Sequence, residues 1–197
     1  SLIYASKEKS IPVIEIQHGL IKKDDPFYTS FAKLENNFFP DYLLVWGENT
    51  KKSLQQRCLI KTNNIFPIGS TYIEYMNKTE NKKLEMQFIE FRKEYKRIVA
   101  ITAQNLIEYR LFNFIINSAL MSPDILYLYI PRGPSVNYDN KFLKNIKIIK
   151  DFNAYQIIKY SDFHATVFSS CAIEAPALGI QNILININNE SKMAYSN

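Results

Sequence analysis

The chain is short of the residues that metal and redox centres need. Its 197 residues include two cysteines and two histidines. Cys58 and Cys171 have no CxxC spacing and no histidine cluster beside them. That argues against a zinc site or a disulfide framework, and for a reducing compartment. Five glycines and eight prolines exclude collagen-like and linker-like chains. No apolar run approaches the roughly 18 residues of a membrane-spanning helix. The first residues do not read as a signal peptide. Neither a GxGxxG fingerprint nor a P-loop occurs, so the standard dinucleotide and NTPase signals are missing.

What is present reads as an ordinary globular chain. Hydrophobic residues make up 47%, enough to offset chain entropy. The net charge is +5, from lysines scattered along the sequence. The plain reading is a solvated Lys-rich surface. The alternative is mild attraction to an anionic ligand or a membrane surface. A dense basic stripe is lacking, so nucleic acid is not an expected partner. The 13 Tyr and 13 Phe read mainly as packing residues.

Short β-branched runs alternate with helical patterns. Ile11–Ile16, Tyr42–Trp46 and Ile65–Ile68 read as buried strands, each stopped by a glycine turn. Asn49-Thr50 can cap a helix running from Lys51 to Cys58. The polar stretch Asn77–Lys83 reads as a linker, and Leu84–Tyr95 has helical spacing. A second series follows. Strands are expected at Arg97–Thr102, Ile125–Ile130, Ile146–Ile149, His164–Phe168 and Asn182–Ile187. Helices are expected at Glu108–Leu120, Ala154–Tyr160 and Cys171–Leu178, the last closed by Gly179. This alternation predicts an α/β fold with Rossmann-like, doubly wound parallel sheets. The expected organisation is 1–76 as one Rossmann-like part, 77–96 as linker and helix, and 97–197 as a second Rossmann-like domain.

Phe168-Ser-Ser-Cys-Ala-Ile-Glu-Ala-Pro-Ala-Leu-Gly179 is the most informative stretch. It resembles the donor-binding strand, loop and helix of GT-B-type glycosyltransferases. Asp151–Asp162 is similar to the segment that precedes it. Ile14–Leu20, Asp41–Glu48 and Ile65–Ser70 resemble segments of bacterial capsule and surface-polysaccharide transferases. The resemblance runs in order along nearly the whole chain. It implies a metal-independent glycosyltransferase moving a sugar from a nucleotide-sugar to a surface polysaccharide or lipid-linked acceptor. No cofactor is implied beyond that donor. The implied location is the cytoplasm, at the inner face of the membrane if association is peripheral. Ser1–Tyr4 reads as a helix interior, which suggests an incomplete N-terminal acceptor-side domain. The sequence also departs from the pattern. Where related transferases carry Lys-x-His-Pro, this chain has Leu128-Tyr-Ile-Pro131, and the His position holds Ile130.

Both physics and resemblance select residues. Amides at a helix start attract phosphate, helped by hydroxyls, which selects Ser169 and Ser170. Simple helix capping uses the same geometry. Glu174 is implied to bind the donor ribose; otherwise it faces solvent. Thr102 and Gln104 end a strand at the expected ligand edge, and Arg132 follows another strand end with a guanidinium suited to phosphate. His18 is either a structural histidine or a general base toward an acceptor hydroxyl. Gly19 permits close ligand approach beside it. Gly69 and Ser70 line a cleft floor or form a hinge turn. His164, at a strand start, reads as structural. Three other readings remain: a nucleotide-activated polyol-phosphate transferase, a sugar-nucleotide epimerase, and a non-catalytic nucleotide-binding module.

Overall fold

The computed structural model describes residues 2–195, apart from 24, 31, 33, 35, 55–57 and 134–142. The chain divides into two compact units, Ser1–Tyr72 and Ile73–Asn197.

The first unit holds α1 (Leu2–Glu8), β1 (Ile14–Ile16), β2 (Tyr42–Val45), α2 (Glu48–Leu54) and β3 (Ile65–Pro67). The expected helix to Cys58 runs into 55–57, outside the described residues. The strands form a parallel sheet in the order β1-β2-β3. Leu43 and Val45 alternate inward on β2 and pack with Leu54, Ile60, Ile65, Ile21 and Tyr28. Ile14 and Ile16 on β1 point the other way and are 59% and 56% exposed. Asp41 tethers the start of this sheet. Its carboxylate accepts from the Val13 amide at 2.8 Å and pairs with Lys7 at 3.2 Å. The amide bond and the lysine together hold its pKa below the usual range.

A helix, α3 (Thr71–Lys78), spans the division, and α4 (Lys82–Glu94) follows. The interval read as a linker therefore carries the end of one helix and the start of another. Asn81 caps α4 by accepting from the Leu84 amide.

The second unit continues with β4 (Arg97–Thr102), α5 (Glu108–Met121), β5 (Ile125–Ile130), β6 (Ile146–Ile148), α6 (Ala154–Tyr160), β7 (Phe163–Thr166), α7 (Cys171–Ala177), β8 (Gln181–Leu184) and α8 (Glu190–Tyr195). Its five strands are all parallel, in the order β6-β5-β4-β7-β8. Both faces of β4 and β5 are covered, which is why these strands read as unbroken apolar runs. One core gathers Ile101, Leu111, Ile115, Tyr129 and Val167. The other gathers Leu84, Ile98, Leu126, Leu128 and Ile157 with Met76 and Ala175. Asp162 pins the turn before β7, accepting from the Ile98 amide at 2.7 Å and from Arg92 at 2.9 Å. Lys159 donates to the carbonyls of Asn77 at 2.6 Å and Thr79 at 3.1 Å, fastening the α3–α4 turn to α6.

Candidate functional site

The strand order locates a crevice without reference to any motif. The chain builds outward from β4 to β5 and β6, then returns to place β7 and β8 on the other side of β4. The order therefore reverses between β4 and β7. In open parallel sheets ligands settle outside the carboxyl ends of strands at such a reversal. Here those ends are Thr102-Ala103-Gln104 and Thr166–Ser170.

Thr102, Gln104, Arg132, Ser169, Ser170 and Glu174 all belong to this unit. Gln104 is half-buried in the turn before α5, and Arg132 is exposed just past β5. The Arg132 amide donates to the Glu108 carboxylate at 3.4 Å. Ser169 accepts from the Cys171 amide at 3.3 Å. Ser170 precedes α7 directly but makes no side-chain capping bond. Glu174 is 6% exposed, so it does not face solvent. Its Oε2 accepts from the Tyr155 hydroxyl at 2.8 Å, which orients the carboxylate. Burial pushes the neighbouring Cys171 thiol pKa up, Glu174 adds to that, and the Arg132 charge opposes it. Thr102 differs from the rest. Its hydroxyl lies 2.9 Å from His164 Nε2, inside the sheet, and it is itself buried.

Several contributors escaped sequence reasoning. Tyr155 orients Glu174 from α6. Glu108 is buried at the start of α5 and braces the Arg132 loop. The Tyr195 hydroxyl accepts from the Ser169 amide and donates to the Ser169 carbonyl, both at 2.7 Å, so α8 holds the loop entering α7. None of these has a local sequence signature, because each partner lies far away along the chain. The Asn153 cap that fixes α6, and hence Tyr155, was the one available signal.

His18, Gly19, Gly69 and Ser70 lie in the first unit. His18 is exposed at the carboxyl end of β1 and lines a cavity of about 540 Å³ with Glu15, Gly19, Asp25, Tyr28 and Phe38. Glu15 accepts a short hydrogen bond from the Tyr28 hydroxyl. Burial, and then this carboxylate, drive the Tyr28 pKa far up. Buried Gln17 fixes the turn. It donates to the Gly19 carbonyl at 2.8 Å and accepts from the Trp46 amide at 2.7 Å. A Cβ placed at Gly19 would meet nothing within 4 Å, so open space lies beside it. Gly69 has φ +79°, a conformation that favours glycine, and it ends the β3 turn. Ser70 is half-buried after it.

Among the described residues, no group of three or more His, Cys, Asp or Glu gathers to hold a metal ion. No helix there is long and apolar enough to cross a membrane.

No family model matches the chain, and no curated protein matches it. Solved structures do. Staphylococcus aureus MnaA, in a co-structure with UDP, is similar with a TM-score of 0.68 and 16% identity, over 94% of this chain and 54% of that one. The UDP-GlcNAc 2-epimerase from Neisseria meningitidis bound to UDP-GlcNAc is similar with a TM-score of 0.62 and 17% identity, over 98% of this chain and 57% of that one. The wall teichoic acid polymerase TagF soaked with CDPG is similar with a TM-score of 0.58 and 14% identity, over 90% of this chain and 49% of that one. The chain spans about half the length of these proteins. At such identities the likeness speaks for the fold, and by its fold this chain is a GT-B-type α/β protein.

Proposed function

We propose that the second unit binds the nucleotide part of a nucleotide-sugar, and that the chain serves a metal-independent glycosyltransferase. The observation that carries this reading is Glu174, a buried carboxylate oriented by Tyr155 beside the sheet's point of reversal. A carboxylate so held can accept from two vicinal ribose hydroxyls. Arg132 and the loop of Ser169 and Ser170 supply charge and donors for a diphosphate. The neighbours' ligands, UDP, UDP-GlcNAc and CDPG, agree with that ligand class.

In the proposed reaction an acceptor hydroxyl attacks the anomeric carbon of the donor. Its proton passes to His18, acting as general base. The bond to the diphosphate breaks, and the nucleoside diphosphate leaves with the electron pair. Arg132 stabilises the charge that develops on it. The acceptor would be a bacterial surface polysaccharide or a lipid-linked glycan, handled at the inner face of the cytoplasmic membrane. Gln104 would contact the donor, and Gly19, Gly69 and Ser70 would leave room for substrate.

A second reading is a sugar-nucleotide epimerase, the reaction named for the similar Neisseria meningitidis protein bound to UDP-GlcNAc. An epimerase would change the sugar's configuration with no acceptor present. The test is a thermal-shift panel of CMP, CDP, UDP, GDP and their sugar conjugates on wild type and Glu174→Ala. A ligand that binds only the folded state raises the midpoint by mass action. Stabilisation of wild type but not of Glu174→Ala is expected. A panel in which nothing binds wild type overturns the nucleotide reading. Incubating the stabilising conjugate without acceptor then separates the two reactions.

A further inference from the structure

Pro176 stands inside α7. Proline has no amide hydrogen, so the carbonyl four residues earlier, that of Ala172, lacks its i+4 helical donor. Ala172 is buried, and a buried carbonyl without a partner is costly. The structure supplies one from another strand: Asn182 Nδ2, on β8, donates to the Ala172 carbonyl.

That bond dictates the orientation of everything behind it. With Asn182 Nδ2 committed to a carbonyl, its Oδ1 faces His164 Nδ1 at 2.6 Å. An amide oxygen only accepts, so Nδ1 carries the proton. In the neutral ring Nε2 then accepts from the Thr102 hydroxyl at 2.9 Å. Thr166, two residues along on β7, donates to the Thr102 carbonyl at 3.0 Å. The result is a directed series: Thr102 to His164, His164 to Asn182, Asn182 to the first turn of α7. It crosses β4, β7 and β8, and all three bonds point the same way. His164 is fully buried.

We propose that Asn182 and His164 are positioning residues that hold the first turn of α7, and with it Glu174, by replacing the hydrogen bond that Pro176 removes. This rests on the reading of α7 as part of the nucleotide site, but the relay itself can be tested without nucleotide. If the turn is only partly populated without its partner, apparent affinity falls by the populated fraction.

The experiment is a double-mutant cycle between Asn182→Ala and Pro176→Ala, because Pro176→Ala returns the missing amide donor. Two readouts are needed. One is hydrogen exchange of the amides of residues 171–175 without ligand. The other is the affinity of the nucleotide found in the thermal-shift panel. Asn182→Ala is expected to speed exchange there and weaken nucleotide binding by roughly tenfold. Adding Pro176→Ala should restore most of both. His164→Leu should reproduce the Asn182→Ala defect, and His164→Gln should do so less. Unchanged exchange in Asn182→Ala, or no rescue by Pro176→Ala, overturns the proposal. Normal exchange rescue with no nucleotide binding by wild type overturns the nucleotide reading and leaves the relay standing. A nucleotide affinity that survives Asn182→Ala while exchange rises overturns the link to Glu174.

Discussion

The two sheets are built from the same kind of strand and are buried differently. In the second unit β4 and β5 lie between two cores, one on each face. In the first unit the core lies on one face of β2, and alternate residues of β1 are open. Central parallel strands therefore carry stability at every position, whereas the first sheet carries it at every other one. The polar groups follow the same division. The second unit runs a Thr-His-Asn series, its Thr and His buried, across three strands, and the first places Glu15, His18 and Asp25 around a cavity.

Mutations can break that contrast. Ile101→Ala on one face and Leu128→Ala on the other should each destabilise the second unit by about 2–5 kcal/mol, measured by urea unfolding. A mild cost at either position would mean that one face is not a true core. Asp162→Ala removes the acceptor for the Ile98 amide and the Arg92 partner, and should cost about 1–3 kcal/mol in the same assay. Serine at Ile14 or Ile16 should change stability by less than about 0.5 kcal/mol. A larger loss there would show that β1 is covered in solution.

A smaller effect concerns pH. Burial lowers the His164 pKa below its ordinary value, with the Asn182 bond opposing the shift. The unfolded chain takes up this proton as pH falls below about 6.5, while the folded protein resists it. The contribution of His164 is thus complete above that value and declines as pH falls toward the lowered folded pKa. Melting temperatures between pH 7.5 and 5.5 should fall less in His164→Gln than in wild type. An identical slope in both would show that His164 is not the group titrating.

Much of the fold was legible because hydrophobic runs mark parallel strands directly. Arg97–Thr102 and Ile125–Ile130 fall where the sequence put them, as does the helix Ala154–Tyr160. The edges were harder. β8 begins at Gln181 and ends at Leu184, although the apolar pattern runs on to Ile187: the Ile185 amide still donates to the Thr166 carbonyl at 2.9 Å, and the chain then turns, with the Ile187 amide donating back to the Ile185 carbonyl at 3.2 Å. α3 was hidden by polar residues at its exposed end, and only Ile73 and Met76 reach the core. Within the candidate site, the Ser169–Glu174 stretch could be read as a local pattern. The roles of Tyr155, Glu108, Tyr195 and Asn182 could not, since each depends on a partner brought close only by folding. Thr102 shows the limit of reading by position: it ends the right strand, yet its hydroxyl turns inward to His164.

The all-parallel order also has a consequence for how the chain assembles. β4 is the middle strand of the larger sheet, and Val99 pairs with Phe163 only after the whole excursion through α5, β5, β6 and α6. No hairpin can form early to protect it. Sheets closed by such distant pairings have high contact order and fold slowly. During synthesis this central strand must therefore wait, with one edge open, until β7 has emerged, and that interval is when the chain is most exposed to aggregation.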